Sequence, residues 1–134
     1  QRGMVALAAS VILSFYGIYN AKNTVITTYD VIINKSFVDK SLMVVSDIHL
    51  GTVVTKADLT KLSEHAEAIA PSGIILLGDI YDEGTTQDEF DYSLQVFKIL
   101  ASKYPVYYIE GNHEIGFQGG SPLREFNIVK KLKE

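Results

Sequence analysis

The chain has 134 residues, 47% of them hydrophobic, with a mean hydropathy of +0.13, which fits one domain with a modest core. A formal net charge of -4 and a pI near 5.3 exclude the basic footprint of a nucleic-acid binder. The absence of cysteine excludes disulfides and thiolate metal sites.

Residues 1–22 hold an uncharged stretch from Gly3 to Ala21, bracketed by Arg2 and Lys22. A membrane span needs about 20 mostly apolar residues. Tyr16 and Tyr19 fall at its far end, where interfacial aromatics belong. A transmembrane helix is the first reading, and a signal-peptide core or a buried helix of a soluble domain are the others. Lys22, Lys35 and Lys40 follow the stretch while only Arg2 precedes it, so the positive-inside rule leans toward a cytoplasmic domain.

Residues 23–40 connect this helix to the rest. The run over 25–33 is rich in β-branched residues and predicts a strand, followed by a polar connection over 34–40. A second strand is predicted over 42–46, and its unbroken apolar run suits burial on both faces. It leads into Asp47-Ile48-His49. Residues i and i+2 of a strand share a face, so Asp47 and His49 can aim at one point beyond the strand end. A carboxylate oxygen and an imidazole nitrogen both suit borderline divalent metals.

From Thr55 the period becomes helical. Thr55 with Asp58 resembles a capping box, and Leu59, Leu62, Ala66 and Ile69 recur at helical spacing until Pro71-Ser72-Gly73. A third strand over 74–77 ends in Gly78-Asp79. A helix over 87–103 follows, with Phe90, Leu94, Phe97, Ile99 and Leu100 on its apolar side. Asp88, Glu89 and Asp91 near its start favour the positive end of its dipole. Pro105 breaks it, and a fourth strand over 106–109 ends in Glu110-Gly111-Asn112-His113-Glu114. A Gly-rich loop over 116–120 and a last helix from near Pro122 close the chain.

Strand, helix, strand, helix, strand, helix is the order of an α/β domain with parallel strands. In an open parallel sheet the C-terminal strand ends share one edge, where ligands bind. Three successive strands here end in metal-capable residues: Asp47 and His49, then Asp79 and Asp82, then Asn112, His113 and Glu114. Each alone has a plainer explanation. Asp47 or Asp79 could cap a helix, Asn112 could serve a turn, and Asp82 and His113 could be solvated loop residues. Gly78 and Gly111 could let backbone pass close to a ligand or adopt positive φ. Glu114 could support a ligand or lie on the surface, and His65, mid-helix, reads as a surface or packing histidine. The Tyr104, Tyr107 and Tyr108 cluster reads as packing.

Taken jointly, Asp47-Ile48-His49, Gly78-Asp79-Ile80-Tyr81-Asp82 and Gly111-Asn112-His113-Glu114 resemble the Asp-x-His, Gly-Asp-x-x-Asp and Gly-Asn-His-Asp/Glu blocks of the calcineurin-like metallophosphoesterases. The resemblance covers residues 42–134 and implies an α/β sandwich of that type, of which 41–134 would be the N-terminal half. It implies two divalent ions, manganese, iron or zinc, with a bridging water activated to attack phosphorus. Asp47 and His49 would hold the first ion, Asp79 would bridge both, and Asn112 would bind the second. His113 would be no ligand but would serve the leaving oxygen, with Asp82 hydrogen-bonded to its other nitrogen. The implied substrate is a phosphomonoester or phosphodiester. A non-catalytic scaffold of the same fold, binding proteins at the membrane, is the alternative.

The helix, the segment Gly17-Ile18-Tyr19-Asn20-Ala21 and the strand after it are similar to membrane-bound bacterial members, which implies a plasma-membrane location and makes a lipid-linked substrate plausible. The family's later histidine blocks find no counterpart within residues 1–134, so these residues alone are expected to form an incomplete, inactive site.

Overall fold

The structure, a computed structural model, describes residues 2–21, 23–32 and 40–115. Most of the polar connection over 34–40, the Gly-rich loop and the last helix lie outside the described residues. The chain divides into two compact units, Gln1–Lys35 and Ser36–Glu134.

In the first unit α1 runs over Arg2–Ala21, with every residue exposed. Its length of 20 residues and hydropathy of 1.6 suffice to cross a membrane. Its two serines are satisfied within the helix. Ser10 Oγ donates to the Ala6 carbonyl at 3.0 Å, and Ser14 Oγ to the Ser10 carbonyl at 2.9 Å. An unsatisfied hydroxyl in hydrocarbon would cost several kcal/mol. Asn23 ends the helix by donating from Nδ2 to the Tyr19 carbonyl at 3.0 Å.

The strand predicted over 25–33 is not formed in its described part, residues 25–32, which have no regular structure. β-Branched composition favours a pleat only where a neighbour offers a ladder, and no described strand pairs with these residues.

The second unit is built on a parallel sheet of β1 (Leu42–Val45), β2 (Gly73–Leu77) and β3 (Val106–Ile109), in that spatial order. The register sets Val44 beside Ile75 and Ile75 beside Tyr107. Between the strands run α2 (Lys56–Ile69) and α3 (Gln87–Lys103), which pack on each other. A four-residue turn of helix, α4 (Asn112–Ile115), follows β3.

One face of the sheet meets the helices. Ile74 and Leu76 of β2 are buried with Leu59 and Ala66 of α2 and Phe90, Val96, Phe97 and Leu100 of α3. On the apolar side of α3, Ile99 is exposed, and Val96 and Ser93 take the buried positions instead. A 3.6-residue period turns position 99 away from the stripe that 90, 93, 97 and 100 share. Tyr104 packs with its hydroxyl donating to the Ala66 carbonyl at 3.3 Å, while Tyr107 points away from the helices and is exposed. The expectation that β1 is buried on both faces is not met. Leu42 and Val44 are 60% and 56% exposed, on the face shared with Ile75, Leu77, Tyr107 and Ile109. Alternation puts half of each strand on each face, and the helices among the described residues cover only one.

Both helices start as their sequences dictate. The Asp58 carboxylate accepts from the Thr55 N–H at 3.1 Å and from Thr55 Oγ1 at 2.8 Å, with Lys61 Nζ at 2.8 Å. At α3, Glu89 does the same for Thr86, at 2.9 Å to the N–H and 2.6 Å to Oγ1. So Glu89 is a reciprocal cap and not merely a charge near the dipole. At the other end of α2, Ala70 adopts the left-handed region at φ 47, and Pro71 follows.

Lys61 first, then Thr55, hold the Asp58 carboxyl down at about 2, against an ordinary 3.8. A carboxyl with a lowered folded pKa stabilises fully above its unfolded pKa and loses that contribution as pH falls through its folded pKa. Asp58→Asn is therefore expected to cost about 1 kcal/mol at neutral pH. The difference from the native chain should shrink as pH falls from 3.8 toward 2, and urea unfolding as a function of pH measures it. A difference that grows on acidification would contradict the assignment.

Candidate metal centre

β1 ends at Val45, and the backbone beyond it does not stay extended. Asp47 and His49 sit at φ 54 and 44, in the left-handed region. The pleat of a strand is thus not what aims them. A continued ladder is. The Asp47 N–H donates to the Gly78 carbonyl at 3.2 Å, His49 N–H to Asp79 at 3.1 Å, and Leu50 N–H to Ile80 at 3.1 Å. This lays 47–50 beside 78–80 in the order β1 lies beside β2. Asp79 is itself at φ 50, so three of the four non-glycine residues with positive φ among those described are expected metal ligands. Such conformations cost about 1–3 kcal/mol each and collect where a ligand is clamped.

Two glycines permit the close approach. A Cβ on Gly78, at φ 70, would lie 2.8 Å from Gly111 Cα, and one on Gly111 would lie 2.3 Å from Asp79 Oδ1. With the β3 end seated there, the His113 N–H donates to Asp79 Oδ1 at 2.9 Å.

Glu114 fastens the two loops together. It is buried, and its carboxylate accepts four backbone N–H bonds: Gly111 at 2.8 Å, Asp79 at 3.0 Å, Ile80 at 2.7 Å and Tyr81 at 3.0 Å. Of its two readings, surface acid is excluded. The signal in the sequence was its place directly after His113, where a turn of helix swings it back under the loop.

Asp82 is buried, not solvated. Its Oδ1 accepts from Thr52 Oγ1 at 3.0 Å and the Gly84 N–H at 2.8 Å, and its Oδ2 lies 3.4 Å from His49 Nδ1. The expected Asp82–His113 pairing is thereby corrected. The carboxylate at His113 Nδ1 is that of Glu83, whose Oε2 is 3.0 Å away. Asp82 is anchored over His49 by Thr52 and the turn at Gly84, and Glu83, one methylene longer, reaches the second ring. Sequence reasoning missed Glu83, because no spacing rule singles out the residue after a motif block. The same bond to Glu83 raises the His113 pKa, and Glu83's own backbone, then His113, lower that of Glu83.

The three strand ends converge. Donor atoms of His49, Asp79 and His113 lie within 4.8 Å of one another, and the two rings meet edge to face with centroids 4.8 Å apart. Two imidazole nitrogens and a carboxylate oxygen are a donor set for borderline divalent metals. Asp47, exposed at the rim and paired with the Ser46 hydroxyl, stands outside that group, and Asn112 is exposed at the start of α4. His65 is half-buried in mid-α2.

The profile of the calcineurin-like phosphoesterases matches residues 40–133. This chain belongs to that family. A Caenorhabditis elegans protein described as a metallophosphoesterase is 30% identical over 115 residues, 83% of this chain and 23% of its own length. A Bos taurus transmembrane protein with metallophosphoesterase domain is 25% identical over 117 residues, 84% of this chain and 26% of its own length. The chain therefore spans about a quarter of these relatives. Its second unit is a metallophosphoesterase domain of helices and parallel sheet, and members of this family typically bind divalent metals.

Proposed function

We propose that this calcineurin-like phosphoesterase hydrolyses a phosphomonoester or phosphodiester with two divalent ions, and that α1 anchors it in a membrane. The observation that carries this is the convergence of His49, Asp79 and His113, from three strand ends, within 4.8 Å. Asp47, His49, Asp79 and Asn112 would hold the ions, Asp79 being placed between the other two loops. When bound, such ions polarise phosphoryl oxygens and lower the pKa of an attacking water.

The chain's own residues do the rest. The strained backbone at 47, 49 and 79 pre-sets the donors, so little order remains to be imposed on binding. Asp82 holds His49 by its Nδ1 side. His113, half-exposed beside Asp79, gives its proton to the leaving oxygen. The membrane helix and the transmembrane relative favour a substrate within reach of a bilayer surface, such as a lipid-linked phosphoester, and the lysines after α1 favour the cytoplasmic face of a plasma membrane.

The test is metal content and turnover of the intact native protein beside its Asp79→Asn variant. The variant should lose bound metal and at least about 10²-fold in kcat. Bound partners without bound metal, unaffected at Asp79, would mark a scaffold instead. The 4.8 Å grouping also favours a second reading, with His113 as a ligand. His113→Ala separates the two: metal retained supports the proton donor, and metal lost supports the ligand.

A further inference from the structure

We infer that Tyr81 is a positioning residue of the metal centre, its hydroxyl fastening the loop of Asp79 and Asp82 to α3 at Ser93; the inference rests on the phosphoesterase reading. Tyr81 and Ser93 are both fully buried. Tyr81 Oη lies 2.8 Å from Ser93 Oγ, and Ser93 Oγ donates to the Phe90 carbonyl at 2.7 Å. A serine hydroxyl has one proton, so Ser93 accepts and Tyr81 donates. Tyr81 belongs to the apolar core, its ring edge-on to Phe90 with centroids 5.0 Å apart. The ring alone would fill that core. A polar pair there adds little net stability, since desolvation offsets the bond, but it admits only one register.

The register at Tyr81 is the register of the site. Tyr81 stands between the two acids in Asp79-Ile80-Tyr81-Asp82. Glu114 holds its N–H at 3.0 Å, and the phenol holds the same residue from the helix. Between Tyr81 and Ser93 the chain passes through Asp82, the turn at Gly84 and Thr85, and the Thr86 cap of α3. The hydrogen bond closes this excursion into a ring, so the loop and the start of α3 cannot slide past each other. Asp82 lies inside the ring, with Oδ2 3.4 Å from His49 Nδ1, and Asp79 lies just before it, grouped with His49 and His113. Tyr81 is fully buried and acts on the ions only through this loop.

The experiment compares Ser93→Ala, Tyr81→Phe and the double variant with the native intact protein. Readouts are urea unfolding without metal, calorimetric titration with manganese, and turnover of a nitrophenyl phosphoester. Ser93→Ala leaves a buried phenol without its acceptor, and the loop shifts to satisfy it. Manganese affinity and kcat should each fall about 10-fold in protein that urea unfolding shows to be folded, with KM little changed. Tyr81→Phe orphans nothing, because Ser93 still serves the Phe90 carbonyl, and should lower both about 3-fold. The double variant should match Tyr81→Phe, recovering most of what Ser93→Ala lost, because both partners of the bond are then gone. Native manganese affinity in Ser93→Ala despite lowered stability makes the pair structural only and overturns the inference. So does a double variant no better than Ser93→Ala, or a Tyr81→Phe protein with native affinity and kcat. In each case the phosphoesterase reading stands on the turnover of the native protein. A native protein that neither binds manganese nor turns over the ester overturns both.

Discussion

Replacing Glu114 by alanine is expected to lower stability by about 3–5 kcal/mol, the largest effect of any single acid among the described residues. One carboxylate satisfies four backbone N–H groups, those of Gly111, Asp79, Ile80 and Tyr81. Each orphaned buried donor costs about 1–3 kcal/mol, and the total falls below the sum because water can enter the space left behind. The loop carrying Asp79 and the turn carrying His113 lose their common fastener together. Metal affinity should fall with stability. Glu114→Gln keeps one carbonyl acceptor but turns an amide N–H₂ against N–H donors, so it should be nearly as damaging. Chemical unfolding of the intact protein measures this, and a loss under about 1 kcal/mol for Glu114→Ala would show that the four bonds are replaceable by water.

Gly111→Ala should do the opposite: a modest loss of stability with a near-complete loss of function. The added Cβ would lie 2.3 Å from Asp79 Oδ1 and 2.5 Å from the Asp79 backbone nitrogen. The carboxylate tip can swing away, but the nitrogen belongs to a backbone pinned by Glu114, so the loops must separate. Overpacking of this kind costs about 1–3 kcal/mol. A shift of about 1 Å in a group that must meet its neighbours within 4.8 Å should reduce kcat about 10²-fold or more. Metal titration with parallel turnover measurements checks it. Native metal affinity in Gly111→Ala would mean that the Asp79 loop yields freely, against the fastening assigned to Glu114.

Much of the fold was legible in the pattern of residues. The helix over Gln87–Lys103 lies where Pro105 and its apolar period require, and the capping box at Thr55 and Asp58 forms. These are local signals, decided within a few residues. The strand at 25–33 failed because a strand's hydrogen bonds are supplied by another segment, which composition does not encode. The two-sided burial of β1 failed for a related reason: an apolar run records that a strand can be covered, and neighbours decide which faces are.

The site divides in the same way. That the strand ends carrying His49, Asp79 and His113 meet was readable, because parallel strands bring their C-terminal ends to one edge whatever their side chains touch. Which carboxylate serves which imidazole was not. Asp82 and Glu83 are neighbours of the same charge, and only the loop pinned by Thr52, Gly84 and Thr85 gives the first to His49 and the second to His113. The sequence by itself determined β1, α2, β2, α3 and β3, their order and the residue types gathered at the sheet edge, since these follow from period, punctuation and topology. The tertiary structure alone decided the left-handed backbone at Asp47, His49 and Asp79, the burial of Glu114 and the pairing of the acids with the two rings. Those depend on distances of a few ångströms between segments about 30 residues apart, and hydrogen bonds are lost within a fraction of an ångström.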